Sequence, residues 1–199
     1  MVIWKRTIDK YISIYPVPSS SYLTVIFSPP GSPVSVHIAL YLPTSGQESK
    51  FVNEISQLRI IIEEIQEKYP DCLLYLRGDC NVNIKNKDRN YIFMDFCSNL
   101  RLMNVPLLHK TYHHFMGEGL FDSNIDVILH SEDTPEAESI TSIICKFENY
   151  LVDSHHDIIL SRIKLPVLDV KTDDDDLIEA PRIQNTRVKI LWNDKSLSG

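Results

Sequence analysis

The feature that most constrains this chain is a long amphipathic period set between two apolar runs. Phe51, Ile55, Leu58, Ile62, Ile65 and Tyr69 recur at alternating spacings of four and three. That spacing puts them on one face of a helix and predicts one over residues 47–69. Ser45 or Ser49 is placed to cap its start. Pro70 stops it, because proline has no N–H to donate and clashes with the preceding turn. Residues 34–42 and 72–77 on either side are short, apolar and β-prone. Strand, helix, strand reads as a βαβ-like unit whose strands can pair in parallel. A single apolar stripe of this kind packs on a sheet face. The expected class is α/β.

The second strand of that unit ends abruptly. Leu73-Leu74-Tyr75-Leu76-Arg77 runs into Gly78-Asp79-Cys80-Asn81. The C-terminal edge of such a strand is where α/β sheets build their sites. Asp79 and Asn81 are two apart, so both side chains share a face if the extended geometry persists. A carboxylate that accepts a proton and a carboxamide that donates a hydrogen bond can together hold a water or a phosphate oxygen. Gly-Asp-X-Asn is equally good chemistry for an Asx-type turn that merely closes a strand.

The remaining elements fall around this unit. Residues 22–27 read as a strand. Pro29-Pro30-Gly31-Ser32-Pro33 is a turn, which makes a hairpin or meander with residues 34–42. Residues 2–4 and 11–15 are short β-prone runs, so the chain is expected to begin inside a sheet. Residues 90–102 read as a second helix, with Phe93, Phe96 and Leu100 on one face. Residues 110–115 and 125–129 read as strands separated by a Gly-rich loop, and residues 133–139 as a polar loop. Residues 140–147 and 158–163 read as closing strands. After Pro166 the character changes, and the acidic run at 173–176 reads as solvated linker. The expected division is a domain over 1–165 and an acidic linker or tail over 166–199.

Composition sets the bounds. At 199 residues, 43% hydrophobic and 24% charged, the chain can bury one core. No apolar run is long enough to span a membrane, and the first residues lack a signal-peptide layout. Cys72, Cys80, Cys97 and Cys145 show no close metal spacing and read as reduced core thiols of an intracellular protein, nuclear or cytoplasmic. The net charge of −7 argues against a broad electrostatic grip on nucleic acid. It leaves room for a local basic patch, and Lys85, Lys87 and Arg89 cluster just after the Asp79 turn.

Polar residues gather at the ends of the expected strands: Tyr41, Asp79 and Asn81, Asn124 and Asp126, and His155 and His156. One or two per strand end is how α/β sites are assembled. His156 is the proton-transfer candidate, since imidazole titrates near neutrality. Asp126, a carboxylate among β-branched residues, needs a partner and could orient that ring. His113-His114 and His155-His156 match no recognised zinc spacing.

The order of these motifs is itself informative. Tyr41-Leu42-Pro43, Gly78-Asp79-Cys80-Asn81, Lys110-Thr111-Tyr112-His113, Ser123-Asn124-Ile125-Asp126-Val127-Ile128 and Ser154-His155-His156 resemble the endonuclease/exonuclease/phosphatase superfamily. More narrowly, they look like the apurinic-type endonuclease domain of non-LTR (LINE-type) retrotransposons. The resemblance covers residues 1–165, and the tail around Trp192-Asn193-Asp194 is similar to the link toward a reverse transcriptase. It implies a partial four-layer α/β/β/α sandwich with mixed sheets, and Mg²⁺- or Mn²⁺-assisted hydrolysis of phosphodiesters in DNA. It implies that Asp79 orients or deprotonates the attacking water, or protonates the leaving group. Asn81 would hold a phosphate oxygen, Tyr41 would contact the scissile phosphate, and Asp126 would pair with His156 as phosphate ligand or base. Asp79 and His155 are the candidate metal ligands, and Thr111, Asn124 and Lys85 the candidate substrate contacts.

The chain also departs from the pattern. Cys80 replaces the usual Phe, Thr44 stands where Asn is common, and His155 replaces the Asp that precedes the final His. Met1-Val2-Ile3-Trp4-Lys5 is similar to a strand well inside the family domain. The family's first strands, with their Asn and metal-binding Glu, are therefore expected to be missing. Two other readings stay open: a catalytically inactive remnant that binds nucleic acid or protein, and a phosphomonoesterase of the same superfamily.

Overall fold

The computed structural model describes residues 6–83, 87–107, 110–116, 119–132, 134, 141–145, 156 and 158–162. A 3₁₀ turn, Arg6–Tyr11, leads into β1 (Ile12–Tyr15), which pairs antiparallel with β2 (Tyr22–Phe27). β2 continues into β3 (Ser35–Tyr41), again antiparallel. Helix α1 (Glu48–Lys68) then returns the chain, so that β4 (Leu73–Asp79) pairs with β3 in parallel. The βαβ unit read from the apolar period is therefore present. Helix α2 (Lys87–Asn99) and the short β5 (Leu102–Asn104) follow. β6 (Tyr112–Met116) and β7 (Gly119–Ser123) form a ribbon, and β8 (Asp126–Ser131) runs back antiparallel to both β4 and β5. β9 (Thr141–Cys145) and β10 (Ile158–Arg162) form a second antiparallel ribbon. The main sheet is mixed, in the order β1-β2-β3-β4-β8-β5.

One face of this sheet carries the core. The buried stripe of α1 is Phe51, Ile55, Leu58, Ile61, Ile62 and Ile65, with Tyr69 half-buried beside it. It packs with Phe93, Phe96 and Cys97 of α2 on Val36, Ile38, Leu40, Leu74, Leu76 and Leu129. Burying each such side chain is worth roughly 1.5–3 kcal/mol, so this stripe holds both helices on the sheet. The opposite face of β4 buries Leu73 and Tyr75 with Ile128 and Val105. β4 is covered on both faces, which is why it reads as an unbroken apolar run rather than an alternating one.

Several boundaries differ from the sequence reading for identifiable reasons. Neither Ser45 nor Ser49 caps α1: Gln47 is the cap residue and makes no side-chain cap bond, while the Glu48 carboxylate accepts from the Gly46 N–H. Helix α2 begins at Lys87 and ends at Asn99, three residues short of the reading, because Arg101 takes a left-handed φ of 50°. That reversal frees Leu102–Asn104 to pair with β8. The expected Gly-rich loop is shorter too, since Gly119–Ser123 is a strand paired to β6. Residues 11–15 divide between the end of the 3₁₀ turn and β1. Cys72, Cys80 and Cys97 are free thiols, the last two buried. Residues 1–5, the tail beyond 162 and the side chain of Cys145 lie outside the described residues.

Candidate active site

Three side chains named from strand ends fall in one row. The parallel register pairs Tyr41 with Asp79, and the antiparallel register pairs Asp79 with Asp126. Directly paired residues of neighbouring strands share a face, so Tyr41, Asp79 and Asp126 line one edge of the sheet. Gly78 makes the approach possible. It sits at φ 140° opposite Leu40, and a Cβ there would overlap the Leu40 carbonyl oxygen. Backbone bonds carry the row past the strand ends, with Leu42 N–H donating to Asp79 O at 2.9 Å and Cys80 N–H to Ile125 O at 2.8 Å.

Asp79 is 7% exposed. Burial pushes its carboxyl up to about 6; the Asp126 carboxylate adds to this, while the Asn81 N–H and His156 act against it. One carboxylate oxygen, Oδ1, accepts from the Asn81 N–H at 2.8 Å. The other, Oδ2, lies 3.7 Å from His156 Nε2, within reach of an ion pair but beyond a direct hydrogen bond.

Asp126 is held from two sides. The Thr111 hydroxyl donates to its Oδ2 at 2.5 Å, and His156 Nδ1 lies 3.1 Å from the same oxygen. A proton on Nδ1 donates to Asp126 and leaves the Nε2 lone pair facing Asp79. Tyr112 packs edge-on against the His156 ring, with centroids 4.9 Å apart, and a backbone bridge joins the two residues. The imidazole thus stands between two carboxylates, one that fixes its tautomer and one that can exchange a proton with it.

Of the two readings of Gly-Asp-X-Asn, the structure shows the Asx-type turn. The strand ends at Asp79, and Asn81 has a φ of 50°. It does not continue the strand face. Its carboxamide donates to Leu42 O at 2.8 Å, while its own N–H closes the Asx-type turn on Asp79. The same carboxamide also hydrogen-bonds the Asp79 carboxylate, which works against the rise of that carboxyl.

Arg89 was read as part of a surface basic patch, and the structure corrects this: it is 1% exposed. Its Nη1 donates to Pro43 O at 2.7 Å and Asn81 O at 3.3 Å, and its Nη2 to Thr44 O at 2.6 Å. Its Nε pairs with Glu48 at 2.5 Å, and the guanidinium stacks 4.5 Å above the Phe51 ring. The hydrogen bond from Arg89 holds the Glu48 carboxyl below its usual range. One buried guanidinium therefore ties the segment after Tyr41 to the segment after Asp79. The sequence signal for this was present but ambiguous: Arg89 lies on the α2 face that also carries Phe93 and Phe96.

Asn124 is exposed in the turn before β8. Lys85 and His155 lie outside the described residues. His113 is paired across its ribbon with Asp122, Nδ1 to Oδ1 at 2.8 Å. Among the described residues, no group of three His, Cys, Asp or Glu side chains is arranged to hold a metal ion. Mg²⁺ commonly takes only one or two carboxylates and completes its shell with waters and phosphate oxygens. Asp79 Oδ2 suits that limited role, because it is buried at the strand end and lies 3.7 Å from His156 Nε2, beyond a direct hydrogen bond.

No protein-family model matches the sequence, and no curated protein is significantly similar. Solved structures do match. The endonuclease domain of TRAS1, a telomere-specific non-LTR retrotransposon, superposes with a TM-score of 0.66 at 17% identity, over 82% of this chain and 72% of that one. An endonuclease/exonuclease/phosphatase family protein from Leptotrichia buccalis gives 0.55 at 14% identity, over 78% and 61%. A 3′-5′ exonuclease from Neisseria meningitidis gives 0.53 at 14% identity, over 76% and 70%. The fold is that of the endonuclease/exonuclease/phosphatase proteins, the superfamily whose motif order the sequence resembles. Within that fold, the chain is similar to a retrotransposon endonuclease domain and spans about three-quarters of its length.

Proposed function

We propose that this chain contributes the catalytic edge of a nuclease that hydrolyses phosphodiester bonds in DNA. The observation that carries the reading is the Tyr41–Asp79–Asp126 row with His156 standing between the two carboxylates. Hydrolysis of a phosphodiester needs a base to draw a proton from water, donors for the phosphoryl oxygens, and relief of developing negative charge. Asp79, half-ionised near pH 6, exchanges the proton with water or the leaving oxygen. His156, steadied by Asp126 and Thr111, donates to a phosphoryl oxygen or relays the proton. Asn81, beside Asp79, and the Tyr41 hydroxyl would orient the phosphate, and Asn124 would contact the substrate strand. Asp79 would hold a Mg²⁺ or Mn²⁺ ion, which supplies positive charge to the phosphate when bound.

The likeness to a retrotransposon endonuclease domain supports DNA as the substrate, and a parent polyprotein with a reverse transcriptase segment is a further part of the proposal. Among the described residues no helix is long and apolar enough to cross a membrane, and a nuclear or cytoplasmic setting is part of the same proposal. The test is a labelled duplex oligonucleotide incubated with Mg²⁺, Mn²⁺ or EDTA, beside a small phosphate monoester. Metal-dependent cutting of the duplex without monoester turnover is the expected result. Turnover of the monoester alone would make the chain a phosphomonoesterase. Binding of the duplex without cutting would make it an inactive nucleic-acid-binding remnant.

A further inference from the structure

The sheet face that carries the site row continues behind it. The register sets Arg77 beside Ala39 and Ile128, one row back from Asp79, and Tyr75 beside His37 and His130, one row further back. The Arg77 guanidinium carbon lies 5.8 Å from the Tyr75 ring centroid, so the side chain leans back over Tyr75. Burial lowers the His37 imidazole, and the nearby Arg77 charge adds to this. Asp79 does not balance that charge. One oxygen of its carboxylate accepts from the Asn81 N–H and the other faces His156.

Two Arg77 donors, Nε and Nη2, are buried and have no hydrogen-bond partner among the described residues. A buried charged donor left unpaired is costly. These two atoms also define a shape. Their N–H groups run parallel along one edge of the planar guanidinium, the edge that takes both oxygens of a carboxylate. The surroundings select the class of anion. Tyr75 and Ile128 belong to the apolar cluster on this face. One negative charge therefore balances the guanidinium, while a phosphate dianion would carry excess charge into a low dielectric. Arg77, Ala39 and His37 are each half-buried, which leaves a way in from solvent beside β3.

We propose that the Nε–Nη2 edge of Arg77 is a carboxylate-binding site on the strand that ends in Asp79. It receives one carboxylate, both oxygens on the two donors. The carboxylate comes from a free small acid or from the acidic run at 173–176 of this chain. The site is independent of the nuclease reading, because it uses none of Tyr41, Asp79, Asp126 or His156.

The test uses the full chain with ¹⁵N-labelled arginine and follows the Arg77 Nε–H by NMR, identified as the signal missing from Arg77→Met. Acetate is titrated in place of chloride at constant ionic strength. A site for a free acid shows a saturable downfield shift and slower solvent exchange of that N–H. A fork filled by the acidic run shows both features before any acetate is added. It loses both when Asp173→Asn, Asp174→Asn, Asp175→Asn and Asp176→Asn are combined in the full chain. An Nε–H that neither acetate nor the neutralised run moves overturns the site. Thermal unfolding supplies a second readout. Arg77→Met removes an unpaired buried charge and should be at least as stable as the parent in chloride. Where acetate shifts the N–H, it should also raise the parent midpoint, with the logarithm of its concentration once above its dissociation constant, and leave Arg77→Met unmoved. An equal rise in both would make the acetate effect non-specific and overturn the proposal. Asp79→Asn should keep the acetate response. Its loss there would place acetate on the site row instead, and would also overturn the proposal.

Discussion

At the scale of the residue, function and stability pull Asp79 in opposite directions. Its folded-state carboxyl sits at about 6, above the ordinary 3.8, so the folded chain binds this proton more tightly than the unfolded one. The stability it lends is complete below about pH 4 and is lost as pH rises through 6. Asp79→Asn keeps the acceptor for the Asn81 N–H and removes the charge. By urea denaturation it should be more stable than the parent at pH 8 by about 2–3 kcal/mol, and no more stable near pH 4. An equal difference at both pH values would show that burial does not perturb the carboxyl. Thr111→Val probes the other carboxylate. It deletes the donor to Asp126 Oδ2, and losing a hydrogen bond to a charged group costs about 1.5–3 kcal/mol. If Asp126 acts by aligning His156, kcat should fall by roughly tenfold or more at a temperature where the variant remains folded. The sequence named Asp79, Asp126, Thr111 and His156 from motif order and strand ends. It could not say that Asn81 leaves the strand face, because Gly-Asp-X-Asn allows both an extended run and an Asx turn, and only the left-handed φ at Asn81 decides between them.

At the scale of the element, the site depends on two devices that bring strand ends together. The first is Gly78, opposite Leu40 in the parallel pairing of β3 with β4. Gly78→Ala would force a Cβ against a backbone carbonyl at a φ that side chains avoid, so β3 and β4 must part locally. A loss of about 2–4 kcal/mol in denaturation, with activity falling further than stability, is expected. The second is Arg89, which no motif singled out. Arg89→Met keeps the length over the Phe51 ring but leaves the Pro43 and Thr44 carbonyls without their donor. The expected cost is about 1.5–3 kcal/mol, that of lost hydrogen bonds from a charged donor, measurable as a lowered midpoint. A near-neutral result would show that water replaces the guanidinium there. The long helix and the paired strands were legible because apolar spacing sets them directly. β5 and β7 were not, since Arg101 turns the chain without a glycine and a two-residue spacing joins Met116 to Gly119 in register.

At the scale of the whole molecule, the sheet divides the chain into a helix-covered apolar face and a face of mixed character. On that second face, His37 stacks on Tyr75 with centroids 5.1 Å apart and takes a hydrogen bond with Ser35. Burial, with the Arg77 guanidinium nearby, pushes the imidazole down to about 3, and burial lowers Arg77 to about 10. A histidine held neutral in the fold contributes stability above its unfolded value near 6.5, lost as pH falls from there toward 3. The parent chain should therefore lose stability across that acid range, and His37→Phe paired with Ser35→Ala should flatten the loss. Nothing in the sequence period distinguishes this half-buried histidine from an exposed one, because His37 sits at a position of β3 that alternation leaves open. The central claim remains that one edge of this sheet cuts phosphodiesters. It is tested most directly by nicking of supercoiled plasmid with Mg²⁺ and with EDTA, comparing the parent chain with the folded Asp79→Asn variant. Mg²⁺-dependent nicking by the parent, lost in a variant that is as stable or more so, is the predicted result. Nicking that survives Asp79→Asn, or a folded parent that never nicks, would contradict it.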